Sequence, residues 1–146
     1  MTLKVTGLKK LVVRLRATRQ IINPTIKAAT KEAAEIVKKE SEENAPVLTG
    51  ELEASHKVNE VSSAPDVAIY TVTFNAINPT DGYDYGVAMH ESVYNLGPES
   101  IKKEKANGHI VGRKFLERAA NDKKEECIEL VRDATKRKIR KTFENV

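Results

Sequence analysis

A change of period across a single proline constrains this chain more than any other feature. From Ile26 through Ala29, Ala33, Ile36 and Val37, apolar residues recur three and four apart, while Lys27, Lys31, Glu35 and Lys38 cover the other side. That spacing is one face of an α-helix. Asn23-Pro24 offers a start, because Asn caps helices well and Pro suits the first helical position. Pro46 offers the stop. The spacing therefore predicts a helix over residues 24–43. In "DVAIYTVTFNA" the period falls to two: Ala68, Tyr70, Val72 and Phe74 face one way, and Val67, Ile69, Thr71 and Thr73 the other. β-Branched and aromatic residues dominate there, as a strand prefers. A helix must give way to a sheet within a few residues.

Around this corner the other segments fall into place. In "LKKLVVRLRATRQII", Leu8, Leu11, Leu15 and Ile22 share one helical face, with Lys9, Lys10, Arg14 and Arg16 elsewhere, which predicts a separate N-terminal helix. "ASHKVNEV" predicts a short strand, and "INPTDG" a turn. "YDYGVAMHE" alternates through Tyr83, Tyr85, Val87 and Met89, and is expected to close an antiparallel hairpin. Residues 92–112 show no usable period and predict a long mobile loop. A second long helix is expected from residue 113, with Phe115, Leu116, Ala119, Cys127, Leu130, Val131 and Ala134 as its apolar stripe. The fold class is α+β: an antiparallel sheet of three or more strands packed against two long helices, with an extra N-terminal helix and a long loop before the C-terminal helix. One domain spans 1–146, comprising an N-terminal helix (1–23), a core (24–135) and a basic helix end (136–146).

With no tryptophan and 5% aromatic residues, aliphatic side chains must supply most of the packing. The net charge of +4 is a mild excess, far from a dedicated nucleic-acid binder. One cysteine, Cys127, cannot form an internal disulfide and reads as a small core residue. Charges interrupt the N-terminal segment where a secretory signal would be apolar, and no apolar run is long enough for a membrane span. No membrane association is expected.

Chemistry is equally sparse. His90-Glu91 begins like a metalloprotease motif, but residue 94 is tyrosine where a second histidine is needed. His56 and His109 fall in separate segments without a cysteine pair. No phosphate-cradling glycine loop or nucleophile elbow is present in the sequence. Catalytic, metal and cofactor residues are therefore not expected, and the chain does not read as an enzyme. The basic runs "KKLVVRLR" and "KRKIRK" raise one alternative, a DNA-binding accessory protein using Lys136, Arg137, Lys138, Arg140 and Lys141 against phosphates.

The corner carries a resemblance. Ala45-Pro46, Thr49-Gly50, Leu52 and Ser55 resemble the signature of the small head–tail joining, or tail-completion, proteins of long-tailed bacteriophages, which include neck, minor capsid and tail-component proteins. Tyr85 through His90-Glu91 resembles the family's next strand. "GRKFLERAA", with Gly112, Phe115, Leu116 and Ala119, resembles its entry into the C-terminal helix. The resemblance implies a structural role without catalysis: a homo-oligomeric ring in the virion, at the head–tail junction, contacting head-connector or tail-tube proteins. The same resemblance gives the signature residues structural jobs, with Pro46 stopping a helix, Gly50 taking an unusual backbone angle and Leu52 entering the core. Ser55 would satisfy the strand start, and Phe115 and Leu116 would anchor the last helix. Non-specific contact with packaged DNA is a further expectation. The assembly interface is expected at Asn78, Pro79 and Asp81 in the turn, and at Asn95, Gly97, Pro98, Ser100, Lys102, Lys103 and Lys105 in a loop that orders on assembly.

Overall fold

The computed structural model describes residues 8–47, 49–62, 64 and 67–144, with side chains from Leu15 onward. Helix α1 runs from Leu8 to Asn44, and a single turn, α2, spans Glu51–Ala54. Strands β1 (Lys57–Ser62) and β2 (Ile69–Thr73) follow. Four helices complete the chain: α3 (Tyr85–Glu91), α4 (Pro98–Asn107), α5 (Phe115–Asp122) and α6 (Lys124–Glu144).

The expected break at Asn23-Pro24 is absent: α1 passes straight through Pro24. An internal proline costs a helix about 3 kcal/mol, through a lost hydrogen bond and a ring clash. Here the ring sits on the exposed side, while Ile22 and Ile26 are half-buried on either side of it and α6 packs along α1. Burial along that face outweighs the local penalty. Leu8 and Leu11, on the predicted apolar face, lie outside the described side chains, and Leu15 is exposed.

β1 and β2 pair antiparallel, Lys57 opposite Thr73 and Glu60 opposite Tyr70, with a bulge between Glu60 and Ser62. The predicted alternation holds, since Tyr70, Val72 and Phe74 turn inward while Ile69, Thr71 and Thr73 are exposed. Among the described residues the sheet has two strands where three or more were expected. The predicted third strand is α3, and of the expected hairpin only one isolated bridge, Ile77 with Asp84, forms. Asp84 decides this. Its side chain accepts hydrogen bonds from the amides of Gly86 and Val87, capping a helix. Tyr85 and Met89, four apart, then point into the core together.

The segment expected as a mobile loop contains α4. Pro98 opens it, and Gly108, at φ 69, closes it in the left-handed conformation. The expected single C-terminal helix is two, separated at Lys123. Ala45, Leu52, Ala76 and Phe115 form the buried cluster, with Phe74, Tyr85, Met89 and Leu116 packed against it.

Candidate functional site

The signature corner is where α1 ends, and its parts come from distant elements. Pro46 follows the last turn of α1 and is buried beside Ala45. Gly50, at φ 84, reverses the chain in the left-handed region that favours glycine. Leu52 then enters the core. The Ser55 hydroxyl donates to the Leu52 carbonyl at 2.7 Å and accepts from the Asn75 amide at 3.2 Å, tying the corner to the end of β2.

His56 sits beneath. Its Nδ1 faces the carbonyls of Leu52 and Glu53, at 3.0 and 3.1 Å, and so carries the proton. Nε2 accepts from the buried Ser41 hydroxyl at 2.9 Å. Burial holds the His56 pKa below its ordinary value, with the two backbone carbonyls opposing. The ring packs on Phe74 and Phe115, which lie 4.8 Å apart, and His90 meets Phe115 edge-on at 4.9 Å. His90 is thus an aromatic core element, and its Nδ1 lies 2.7 Å from Glu91. Lys114 binds the same carboxylate at 2.7 Å and holds the Glu91 pKa down.

Helix α4 braces the corner. The Ser100 hydroxyl accepts from the Val47 amide and donates to the Val47 carbonyl. The Lys103 ammonium donates to the carbonyls of Glu42 and Ala45 and to the Glu53 carboxylate. The Gly112 amide donates to the Asn44 carbonyl at 2.9 Å. The last carbonyls of α1, which no partner within the helix can satisfy, are closed in this way. Ser100 is largely buried, yet it also lines the cleft formed by the other expected interface residues, and Lys103 is engaged within the chain. Lys102 is exposed and paired with Glu99, and Lys105 and Pro98 are exposed. Asp81 is also exposed, its carboxylate accepting from the Tyr83 amide.

The remaining expected interface residues converge. Asn78, Pro79, Asn95 and Gly97 line one open cleft of about 460 Å³, together with Pro46, Thr49, Gly50 and Leu52 of the corner. The sequence treated these as separate segments. Tyr83, Tyr85, Met89 and Tyr94 line it as well. Tyr85 donates to Glu51 at 2.9 Å and Tyr94 to the Met89 carbonyl at 2.9 Å. Burial raises the pKa of both phenols. Tyr83 and Tyr94 were not among the expected site residues, although three of the four tyrosines fall within residues 83–94.

A second polar cluster joins α1 to the exit of α4. His109 lies 3.0 Å from Glu40 and 3.7 Å from Glu43, and Lys123 lies 3.5 Å from Glu40. The lysine supplies a cation to the buried Glu40 carboxylate, so the group reads as a structural ion-pair cluster. Cys127 is half-buried, its thiol 3.4 Å from the Ala33 carbonyl, and burial raises its pKa. Among the described residues no helix is long and apolar enough to cross a membrane.

No curated protein and no solved structure matches the chain. A family model does, over residues 9–89, more than half of the sequence: HK97-gp10-like, described as "Bacteriophage HK97-gp10, putative tail-component". The matched span runs from α1 through the corner and both strands into α3, and so takes in the corner half of the cleft. The chain belongs to the HK97-gp10-like family of bacteriophage tail components.

Proposed function

We propose that the chain is a subunit of an oligomeric ring at the phage head–tail junction, completing or terminating the tail and meeting head-connector or tail-tube proteins. The observation that carries this reading is the cleft, which gathers the 78–83 turn, the segment around Asn95 and Gly97 and the signature corner on one face. Its walls are apolar and aromatic, the composition of a protein-binding surface. Assembly by ordering of a free loop gives way to docking on a preformed surface, because α4 is already folded and braced. Lys102 and Lys105 of α4 are exposed and would meet acidic groups of a neighbour.

The test is genetic and structural together. In a phage encoding this chain, an amber mutation in its gene should yield filled heads and unjoined or abnormal tails by electron microscopy. Tyr83→Asp and Tyr94→Asp, supplied in trans, should fail to restore joining while the purified variants keep their helical circular dichroism. Normal infectious particles from the amber mutant would refute the reading.

A further inference from the structure

Of the asparagines in the chain, Asn107 alone is followed by glycine. The distinction is chemical. The backbone nitrogen after an asparagine can attack the side-chain carboxamide, and glycine, with no Cβ, leaves that approach open. Asn23 and Asn78 precede proline, which has no N–H to give up. The others precede Ala, Glu, Leu, Asp or Val, whose side chains crowd the attack.

The fold places this pair where it can react. Asn107 is the last residue of α4, and both it and Gly108 are exposed. The Asn107 carboxamide has no hydrogen-bond partner among the described residues. The Gly108 amide donates to the Glu104 carbonyl at 3.0 Å, and ring closure must break this terminal bond. Helix ends fray at that position. Nothing stands within 4 Å of where a Gly108 side chain would be, so the backbone has room to turn. Asp81-Gly82 has a similar outline in the 78–83 turn, but an ionised carboxylate is a poor electrophile, and Asp81 already accepts from the Tyr83 amide.

Position also decides what the reaction would change. Asn107 shares an open hollow with Glu42, Glu43 and Glu53, and with Lys39 and Lys103. Lys103 lies one turn before it on the same face of α4. The Lys103 ammonium is the donor that closes the carbonyl end of α1 and binds Glu53. A carboxylate at residue 107 would sit at the negative pole of α4 and compete with Glu53 for that ammonium.

We infer that Asn107 is a site of spontaneous deamidation, and that its conversion loosens the brace of α4 on the corner. The Gly108 nitrogen gives its proton to solvent and bonds to the carboxamide carbon of Asn107. The carbon–nitrogen bond of the carboxamide then breaks, and ammonia leaves with a proton taken from solvent. Water opens the resulting five-membered succinimide at either carbonyl, leaving aspartate or isoaspartate, each with a new negative charge. Water is the only co-reactant, and nothing is oxidised or reduced. Isoaspartate also adds a methylene to the main chain, which the hydrogen-bond spacing of a helix end does not accommodate. The inference concerns the chemistry of the single chain and does not depend on the ring reading.

Ageing the full native chain at ~37 °C in mildly alkaline buffer tests it, beside a sample held unfolded in urea. The tryptic peptide Ala106–Arg113 contains no other asparagine, so a gain of about 1 Da there reports the site directly. That peptide should convert before any other asparagine-containing peptide, in the native protein as well as in urea. Aged wild type should then unfold at a lower urea concentration than fresh protein, and Asn107→Asp should reproduce part of that fall. Aged Asn107→Gln should keep its fresh midpoint, because the longer side chain closes its ring far more slowly. A peptide that converts in urea but stays intact in the native protein would overturn the inference, showing that the Glu104 hydrogen bond protects the site. So would conversion that leaves the urea midpoint unchanged, or an equal fall in aged Asn107→Gln.

Discussion

The Lys103 ammonium donates to the Ala45 carbonyl at 3.0 Å, bridging 58 residues of sequence. Helix α1 has no basic residue in its own last turn, and α4 supplies the missing cation from outside. Cations are favoured there because the carbonyl end of a helix is the negative pole of its dipole.

Lys103→Met should therefore lower stability by about 2 kcal/mol, since buried acceptors lose their donor. Lys102→Met should cost under ~0.5 kcal/mol, because its pair with Glu99 is exposed. Urea denaturation of both variants decides. Equal losses would show that the brace is not what holds the corner.

His56 makes stability depend on pH in a definite direction. Burial lowers its folded pKa below the ordinary 6.5, so the unfolded chain takes up the proton first as pH falls. Its contribution is fully present above pH 6.5 and is lost downward from there, until the folded pKa is passed. The denaturation midpoint should fall between pH 7.5 and 5.5, and His56→Gln should remove part of that slope. A slope identical in wild type and variant would count against the buried, neutral imidazole.

Two glycines should prove sensitive and a third indifferent. Gly50→Ala meets only the backbone penalty of φ 84, about 1 kcal/mol. Gly112→Ala should cost more, because at φ 119 its added methyl would also stand 3.1 Å from Leu96. Gly97, with negative φ and open space around it, should accept alanine within ~0.5 kcal/mol. Thermal melts should show Gly112→Ala the most destabilised, Gly50→Ala next and Gly97→Ala the least.

Cys127 should react slowly with a thiol reagent in the native protein and promptly in urea. Its thiol is half-buried against Ala33, and burial raises its pKa, so little thiolate forms at neutral pH. Equal labelling rates in the two states would place the thiol outside the α1–α6 packing.

Much of the corner was legible in advance because it depends on local chemistry. Pro46 must end a helix, Gly50 can take a positive φ, and the alternation through Tyr70, Val72 and Phe74 needs a strand. What was misread depended on choices between local signals. Residues 83–91 alternate like a strand, yet Tyr85 and Met89 are equally one helical face, and the capping carboxylate of Asp84 tips the balance. Pro98 and Gly108 bracket α4 with ordinary start and stop residues, but its sequence lacks an apolar stripe to announce it. Pro24 reads as a helix start only if nothing packs along the helix that contains it, and α6 packs along α1. The cleft could not be read as one place, since its walls meet only after the whole chain has folded.

Completion of α1 also sets an order in time. The groups that close its carbonyl end, Lys103 and the Gly112 amide, lie far downstream of Asn44. A ribosome delivers α1, the corner and both strands before either group exists. The nascent protein must therefore hold this corner open through most of its synthesis and seal it as the final third of the chain emerges, so that the cleft is finished only after translation is nearly complete.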